Sequence, residues 1–360
     1  MELVYYIFFI VSSYLLAKQI EHSCSILRMF FLAIYMAFFL AIRQVPGDNM
    51  QYEYAYMGKL FREYEIGWAF LIEFCRNLGL SLVAYKCLAI YLIQIFSFFL
   101  SIRKEWYSYF SIFVLLYCLL GIESSSNIMR QWLSACLVLI GYRVYLQNNN
   151  YWKRIFSFSL CVIVASKFHS SAYLAFLAPF LLRFKIPSAK VQCILYVVLY
   201  FSSSLFMDIW SYASMYLNFS DFQYNFYFNE YEVKKVEMTT GLGQFYVLLE
   251  TCIIAWIYSK FSEKSNEGNK ICMFSAYYKL YFWGMTIYFA TCSYEDMARL
   301  SLYFFIVQII VLSDIISMGL KSEKRIQNIV ICILFMRAAL FIRTVLAAEI
   351  FGITPIKFLI

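Results

Sequence analysis

The stretch from Tyr85 to Ile102 reads YKCLAIYLIQIFSFFLSI, and it decides the class of fold. Nearly all of its residues are apolar, and a helix of this length approaches the thickness of the hydrocarbon core of a bilayer. Similar runs recur along the whole chain. The 360 residues are 63% hydrophobic and 14% charged, with a mean hydropathy of +0.67. These values indicate an integral membrane protein and exclude a soluble globular domain.

Twelve apolar runs predict transmembrane helices, and the shorter ones can be completed by flanking residues at the membrane interface. The runs lie near residues 3–17, 29–42, 85–102, 107–122, 131–147, 154–166, 170–184, 190–210, 243–260, 272–292, 299–318 and 326–346. Only 4 Pro and 12 Gly residues are present, which argues against disordered linkers between domains. The sequence therefore predicts an all-α polytopic membrane protein of about twelve helices, folded as a single membrane domain over residues 1–360.

The distribution of charge orients the predicted helices. Alternate loops are rich in basic residues, and by the positive-inside rule they are cytoplasmic. These loops carry Lys18, Arg28, Arg103, Lys104, Lys153, Arg154, Arg183, Lys185, Lys190, Lys260, Lys264, Lys270, Lys321, Lys324 and Arg325. The other loops are acid-rich and face outward. The formal net charge of +8 is thus mostly a sign of topology and of contact with anionic lipid headgroups. It does not indicate nucleic-acid binding, because no basic stripe or stacking platform accompanies it.

Two outer segments are longer than the rest. Residues 43–84 contain the amphipathic stretch Trp68–Phe74, which is predicted to lie on the bilayer or to re-enter it. Residues 211–242 hold an aromatic and acidic loop. Functional residues often lie in long loops, although solvated connectors remain the alternative for both segments.

Several common chemistries have no support in the sequence. The 11 cysteines are scattered without a C-x-x-C pair and are typical of small apolar side chains in helices. His22 and His169 are the only histidines, so no metal site and no cofactor are expected. No phosphate-binding glycine loop or serine-hydrolase elbow is present.

Polar residues at the outer helix ends are the remaining candidates. In the stretch from Arg43 to Tyr52, Pro46 and Gly47 break the helix, while Arg43, Asp48 and Tyr52 supply a cation, a carboxylate and a ring. This pattern suits binding of a polar substrate at the membrane surface. The alternative is structural, with Arg43 as an anchor beside headgroups and Asp48 as a turn or cap residue.

Arg130 and Arg299 each open an apolar run on the same outer side. Ser124–Asn127 predicts an N-cap for the helix that contains Arg130, so this cation lies in the first turn and opposes the helix dipole. An anion between Arg130 and the free amides would relieve that conflict. Arg299 lies beside two carboxylates, with which a simple ion pair is the alternative. We interpret Arg43, Arg130 and Arg299 as a clamp for an anion.

Two further polar residues complete the candidates. The stretch from Lys167 to Ser171 predicts a tight outer turn, in which His169 is either a general acid or base or a structural cap. Arg337 lies inside the last run, about 9 Å deeper than Arg343 at ~1.5 Å per residue, so it requires a partner or a wet cavity. Arg343 is expected to reach outward to the interface.

Four motifs in this order resemble the EpsG family of bacterial exopolysaccharide proteins, which is close to the Wzy-type O-antigen polymerases. They are R-x-x-x-G-D-x-x-x-Y from Arg43, E-x-G-aromatic from Glu65, N-x-x-R-Q from Asn127 and F-H-x-S from Phe168. Each motif is short, and their joint occurrence carries the resemblance. The chain departs from the family pattern before Asp48, where Val45-Pro46-Gly47 is one residue longer than the usual Val-Gly.

The resemblance implies a polymerase of undecaprenyl-pyrophosphate-linked oligosaccharide repeat units at the periplasmic face of the bacterial inner membrane. Donor and acceptor are both lipid-linked, and a chain-length regulator protein is a further partner. Similarity to the GT-C glycosyltransferases implies catalysis at the outer surface without a nucleotide sugar. The chemistry of this reaction assigns the base to His169 or Asp48. The expected pyrophosphate- or glycan-binding residues are Arg43, Tyr52, Glu65, Arg130, Gln131, Arg299 and Arg337, of which Arg299 and Arg337 lie outside the four motifs. Tyr52, Trp68 and the aromatic-rich loop from Tyr212 to Tyr231 are expected to offer faces to sugar rings.

Other functional classes remain as alternatives. A lipid-linked oligosaccharide flippase or another transporter has a similar number of helices, but it is expected to carry midplane charges and internal repeats. No clear repeat is present. A membrane O-acyltransferase and an O-antigen ligase are further enzyme hypotheses, and neither explains the four motifs in order.

Overall fold

The computed structural model describes residues 2–21, 25–44, 48–59, 64–102, 108–216, 242–264, 269–293, 295–350 and 357–358. These residues are almost entirely helical. The α-helices are Glu2–Glu21, Ile26–Ala41, Asp48–Tyr56, Ile66–Asn77, Leu82–Tyr85, Leu92–Ser101, Phe110–Leu116, Ile122–Asn127, Met129–Gln147, Tyr151–Ser166, Ala178–Leu181, Ala189–Tyr216, Leu242–Lys264, Asn269–Thr291, Glu295–Ala298, Leu302–Phe305, Gln308–Gly319 and Lys324–Ile350. The π-helices are Lys86–Tyr91 and Tyr117–Gly121, and the 3₁₀ helices include Ser170–Leu177 and Arg299–Ser301. Arg43–Gln44 and Lys357–Phe358 form a two-residue antiparallel ladder.

Each of the twelve predicted apolar runs coincides with a helical stretch. In the described part of the chain, four helices are long and apolar enough to cross a membrane, or five if Arg299–Phe305 and Gln308–Gly319 form one span. The four are Leu3–Glu21, Leu82–Ser101, Gly243–Ser262 and Lys324–Leu346. The all-helical membrane class is therefore confirmed, and the count of twelve spans stays a prediction.

The seventh predicted run differs in detail from a regular span. Its first part, Ser170–Leu177, is a 3₁₀ helix, and the α-helix that follows is only Ala178–Leu181. Pro179 gives the reason, because it has no N–H to bond to the carbonyl four residues earlier and its ring crowds that turn. A regular α-helix through this stretch is therefore disfavoured.

The chain divides into two compact units, residues 1–177 with 306–360 and residues 178–305. In the first unit, Met129–Gln147 packs against Tyr151–Ser166. In the second unit, Ala189–Tyr216 packs against Asn269–Thr291. That the chain folds as a single membrane domain remains a prediction.

Large apolar side chains cover the outside of several helices. Val4, Phe201 and Phe335 are 70%, 73% and 72% exposed. A protein in water would be expected to aggregate through such surfaces, whereas lipid tails solvate them. The exposed apolar faces therefore agree with a membrane environment.

The outer segment 43–84 contains two short helices, Asp48–Tyr56 and Ile66–Asn77. Gly58 and Gly79 follow these helices with φ angles of 73° and 65°. Such left-handed turns are accessible to glycine at little cost and end a helix sharply. The amphipathic stretch Trp68–Phe74 lies within the Ile66–Asn77 helix, and its position in the bilayer remains a prediction.

Polar and aromatic contacts hold these two helices on the first unit. Arg76 Nε donates to the Tyr56 carbonyl at 2.6 Å, so a cation occupies the carbonyl end of the 48–56 helix. The ring of Tyr56 stacks on Tyr85 at a centroid distance of 4.1 Å. Cys75 is buried here, and burial raises the pKa of its thiol, so it packs as a small apolar side chain. These contacts thus tie the two helices to each other and to the Leu82–Tyr85 helix.

The second long outer segment lies mostly outside the described residues. The backbone is helical to Tyr216 and again from Leu242. The aromatic and acidic loop predicted between these points, including the acidic stretch Asp221 to Glu237, lies outside the described part.

Candidate functional site

Glu65 joins three of the four sequence motifs. One carboxylate oxygen, Oε2, forms an ion pair with Nη1 of Arg130, and the other, Oε1, accepts the backbone N–H of Ser170 at 3.3 Å. These partners are 65 and 105 residues away in sequence. The side chains of Arg130 and Glu65 are 14% and 24% exposed, so the pair is accessible from one side. The E-x-G, N-x-x-R-Q and F-H-x-S motifs therefore meet at one place in the first unit.

Aromatic rings surround the guanidinium of Arg130. Its Nε donates to the Tyr52 hydroxyl at 3.3 Å, and its Cζ lies 5.6 Å from the Tyr52 ring centroid and 5.0 Å from that of Tyr64. Both distances are in the range of cation–π attraction. Among the described residues, no hydrogen bond is made by Nη2 of Arg130. The cation is thus held on two sides and retains donors for a further acceptor.

The start of the helix that contains Arg130 differs from the prediction. Ser124–Asn127 belongs to the preceding helix, and the N-cap position is Ile128, which has no side-chain cap. The predicted Ser/Asn N-cap is therefore wrong. The hydroxyls of Ser125 and Ser126 instead donate to the carbonyl of Ile122 at 2.8 Å, which occupies them within their own helix. The carboxylate of Glu65 pairs with Arg130, and a bound anion beside this cation remains a prediction.

The turn around His169 is confirmed. The N–H of His169 donates to the Ala165 carbonyl at 3.2 Å, and Ser170 begins the 3₁₀ helix. The Nδ1 atom of His169 lies 2.6 Å from the Ser171 hydroxyl oxygen, which fixes the ring. The neighbouring N–H of Ser170 contacts Glu65, so the imidazole is held close to the Arg130 pair.

Gly67 allows the E-x-G segment to approach this turn. Its N–H donates to the Lys167 carbonyl at 2.8 Å. A Cβ atom at Gly67 would lie 2.7 Å from that carbonyl oxygen, which is closer than real Cβ contacts. Only glycine fits here without a shift of the backbone, which explains the residue type in the motif.

Trp68 has a different role from the one expected. It was predicted to offer a face to a sugar ring, but it is fully buried and packs against the Tyr52 ring at 5.2 Å. Tyr52 is itself only 7% exposed. Burial of large aromatic surface stabilises the fold, so Trp68 anchors the 66–77 helix and supports Tyr52. The half-buried Tyr64 is a ring beside Arg130 that the sequence analysis missed.

Arg43 lies in a buried polar network. Its guanidinium donates to the Tyr6 hydroxyl and to the Ser126 hydroxyl, and the residue is 1% exposed. Its backbone carbonyl accepts from Lys86 Nζ at 2.6 Å. Ser126 lies directly before the N-x-x-R-Q motif, so this contact links the first motif to the neighbourhood of the third. A direct part of Arg43 in anion binding stays a prediction.

Lys86 and Glu53 form an ion pair at 2.6 Å, and both side chains are 1% exposed. This pair was not predicted from the sequence, although Lys86 inside the apolar stretch 85–102 was a signal of it. A charge placed in an apolar helix requires a partner. Lys86 also begins the π-helix Lys86–Tyr91, a type of distortion that often marks functional positions.

The remaining candidates are spread over both units. Gln131 and Arg337 are buried in the first unit at 5% and 8% exposure, and Arg343 is exposed as expected. Arg299 opens the 3₁₀ helix Arg299–Ser301 in the second unit and is half-buried. The side chain of Asp48 lies outside the described residues. The structure therefore brings together Tyr52, Glu65, Arg130 and the His169 turn, and it links Arg43 to them through Ser126.

Comparison with known proteins finds one family whose model covers the motifs. Over the ranges that the structure describes, no three His, Cys, Asp or Glu side chains lie close enough to hold a metal ion. No curated protein and no solved structure matches the chain. The model of the EpsG family matches residues 26–358, which include all four motifs. The chain therefore belongs to the EpsG family.

Proposed function

We propose that this protein is a glycosyltransferase that polymerises undecaprenyl-pyrophosphate-linked oligosaccharide units into O-antigen or exopolysaccharide. Membership of the EpsG family supports a polysaccharide polymerase-like membrane protein. The observation that carries the proposal is the convergence of three motifs on the partly exposed Glu65–Arg130 pair. The proposed site lies at the periplasmic face of the inner membrane, in a GT-C-like arrangement of about twelve spans.

Arg130 suits the leaving group of this reaction. When the bond between the anomeric carbon of the donor glycan and the pyrophosphate oxygen breaks, its electron pair remains on the pyrophosphate. A guanidinium stays protonated and binds phosphate oxygens through parallel N–H donors, so it stabilises the negative charge as it grows. The pair with Glu65 orients one edge of Arg130, and Nη2 remains for the phosphate. A part of Arg43 and of Arg299 in phosphate binding remains a prediction from the sequence.

His169 suits the acceptor side of the reaction. The acceptor hydroxyl forms the new glycosidic bond and must lose a proton, which an imidazole within hydrogen-bond reach can take. The contact with Ser171 at 2.6 Å holds the ring, as a base requires for a defined geometry. Asp48 is the alternative base. The rings of Tyr64 and Tyr52 and the amide of Gln131 are proposed to contact the glycan.

We expect His169→Ala to lower the transfer rate by about 10²- to 10⁴-fold, the usual contribution of a general acid or base. Ser171→Ala should lower it less, because the imidazole remains and only its orientation is weakened. Both rates are measured on lipid-linked substrate with membranes that contain equal amounts of protein. If His169→Ala retains most of the activity, histidine is not the base.

Deletion of the gene, with complementation, separates the proposed function from its alternatives. Loss of a polymerase leaves surface lipid capped with a single repeat unit. Loss of a ligase leaves no capped lipid and free lipid-linked polymer, and loss of a flippase traps units inside the cell. Loss of an O-acyltransferase leaves polymer of normal length without acyl groups. We expect the first pattern, and any of the other three would contradict the proposal.

A further inference from the structure

A cavity of about 330 Å³ lies in the first unit, between four helices. It is bordered by Glu2–Glu21, Phe110–Leu116, Gln308–Gly319 and Lys324–Ile350. The basic loops at these helix ends predict that the cavity opens on the cytoplasmic side. The helical stretch from Ser111 to Asn127 separates it from the Arg130 region by roughly 24 Å at ~1.5 Å per residue. The cavity is therefore distinct from the candidate functional site.

Lys18, Glu21 and Lys321 are the charged residues in the described lining of the cavity, so two positive charges face one negative charge. Glu21 accepts from Lys18 Nζ at 2.6 Å, from the Ser111 N–H at 2.9 Å and from the Ser111 hydroxyl, so its charge is compensated. Asp314 is buried, is not among the residues that line the cavity, and accepts the Tyr109 hydroxyl at 2.6 Å. Lys321 is exposed at the rim.

Further basic residues follow Lys321 at the same end of the fold. Lys324 and Arg325 follow Lys321 by three and four residues, and both are exposed. The acidic residue Glu323 lies between Lys321 and Lys324. Clustered lysines and arginines at the cytoplasmic surface attract anionic headgroups, by about 1 kcal/mol for each side chain.

The inner wall of the cavity is apolar. Ile112, Leu115, Ile316 and Leu334 line it below the polar rim. Pockets of this volume with apolar walls and few polar groups bind amphiphilic ligands. A phosphate at the rim and an acyl chain along the wall would satisfy both parts of the surface.

We propose that this cavity binds an anionic glycerophospholipid of the cytoplasmic leaflet. The phosphate contacts Lys321 and the hydroxyl-bearing rim, and one acyl chain lies against Leu115 and Leu334. This lipid is not the substrate of the proposed polymerase, which acts on the opposite face. Its binding stabilises the first unit, because a ligand that binds only the folded protein shifts the unfolding equilibrium.

The test uses the full-length protein in neutral detergent. Its thermal unfolding midpoint is followed while phosphatidylglycerol, phosphatidylcholine or inorganic phosphate is added, and native mass spectrometry counts the retained lipids. We expect a saturable rise with phosphatidylglycerol alone. An equal rise with phosphatidylcholine would show that acyl chains suffice, and a rise with inorganic phosphate would show a simple anion site. Either result overturns the proposal.

Variants distinguish the cavity from the basic face as a whole. Lys321→Gln should weaken the apparent affinity for phosphatidylglycerol about fivefold, the contribution of one lysine at an anionic surface. Leu115→Trp should fill the cavity and remove the rise. The control Lys190→Gln changes another exposed lysine on the predicted cytoplasmic side, in the second unit, and should bind normally. Equal affinity in Lys321→Gln and wild type would refute the site, even if Leu115→Trp does not fold. No activity measurement is involved, so failure of the polymerase proposal leaves this test intact.

Discussion

Arg130→Ala is expected to abolish polymer while the protein remains in the membrane. Removal of the guanidinium takes away the donors that stabilise the departing pyrophosphate, and one such donor contributes about 10²- to 10³-fold to a rate. Arg130→Lys should also be strongly impaired, because an ammonium keeps the charge but not the planar pair of donors. The measurements are polymer length on gels and transfer rate in membranes that contain equal amounts of protein.

Glu65→Gln separates the two parts of this pair. The amide keeps an acceptor for Arg130 and for the Ser170 N–H, but it removes the charge that holds the guanidinium in place. An intermediate rate is therefore expected. Full activity in Glu65→Gln together with loss in Arg130→Ala would mean that the carboxylate does not position the arginine.

Arg299→Ala tests the prediction from the sequence that Arg299 also binds the pyrophosphate, and it is expected to abolish polymer as well. The matched control is Arg183→Ala, an exposed arginine on the predicted cytoplasmic side, which should give normal polymer. Wild-type chain length in both Arg130→Ala and Arg299→Ala would remove the clamp from the mechanism.

The second large effect concerns stability. We expect Lys86→Met to destabilise the protein by about 3–5 kcal/mol, because Glu53 would then be a buried carboxylate without its cation. Glu53→Leu should cost a similar amount for the converse reason. In the double variant both charges are absent, and most of the stability should return, since apolar pairs of similar volume often replace buried ion pairs without loss.

The measurement is unfolding of the purified variants in the same detergent. Lys59→Met is the control, because Lys59 is exposed just after the 48–56 helix and such surface changes stay within about 0.5 kcal/mol. A double variant as unstable as the single variants would contradict the explanation by uncompensated charge. The pair also holds the helix that carries Tyr52, so the single variants should lose polymer in proportion to the folded protein lost.

Local sequence predicted the elements well, and the exceptions have local causes. Apolar runs such as 85–102 form helices because a chain in lipid must satisfy its backbone hydrogen bonds internally. The 170–184 run is a 3₁₀ helix over Ser170–Leu177, before Pro179, whose missing N–H was visible in the sequence. The cap at Ser124–Asn127 was wrong because serine hydroxyls bond equally well to a carbonyl three or four residues earlier.

The sequence by itself determined the membrane class, the helical segments and the residue types of the four motifs, since these follow from composition and short spacing. Only the tertiary structure decided which of those residues meet. The contacts of Glu65 with Arg130 and Ser170 join positions 65 and 105 residues apart, and no local rule relates them. Burial of Arg43 and the Lys86–Glu53 pair likewise depend on which helices pack together. The charge and type of each residue are fixed by the sequence, whereas the partners and the exposure of its side chain depend on how the helices pack.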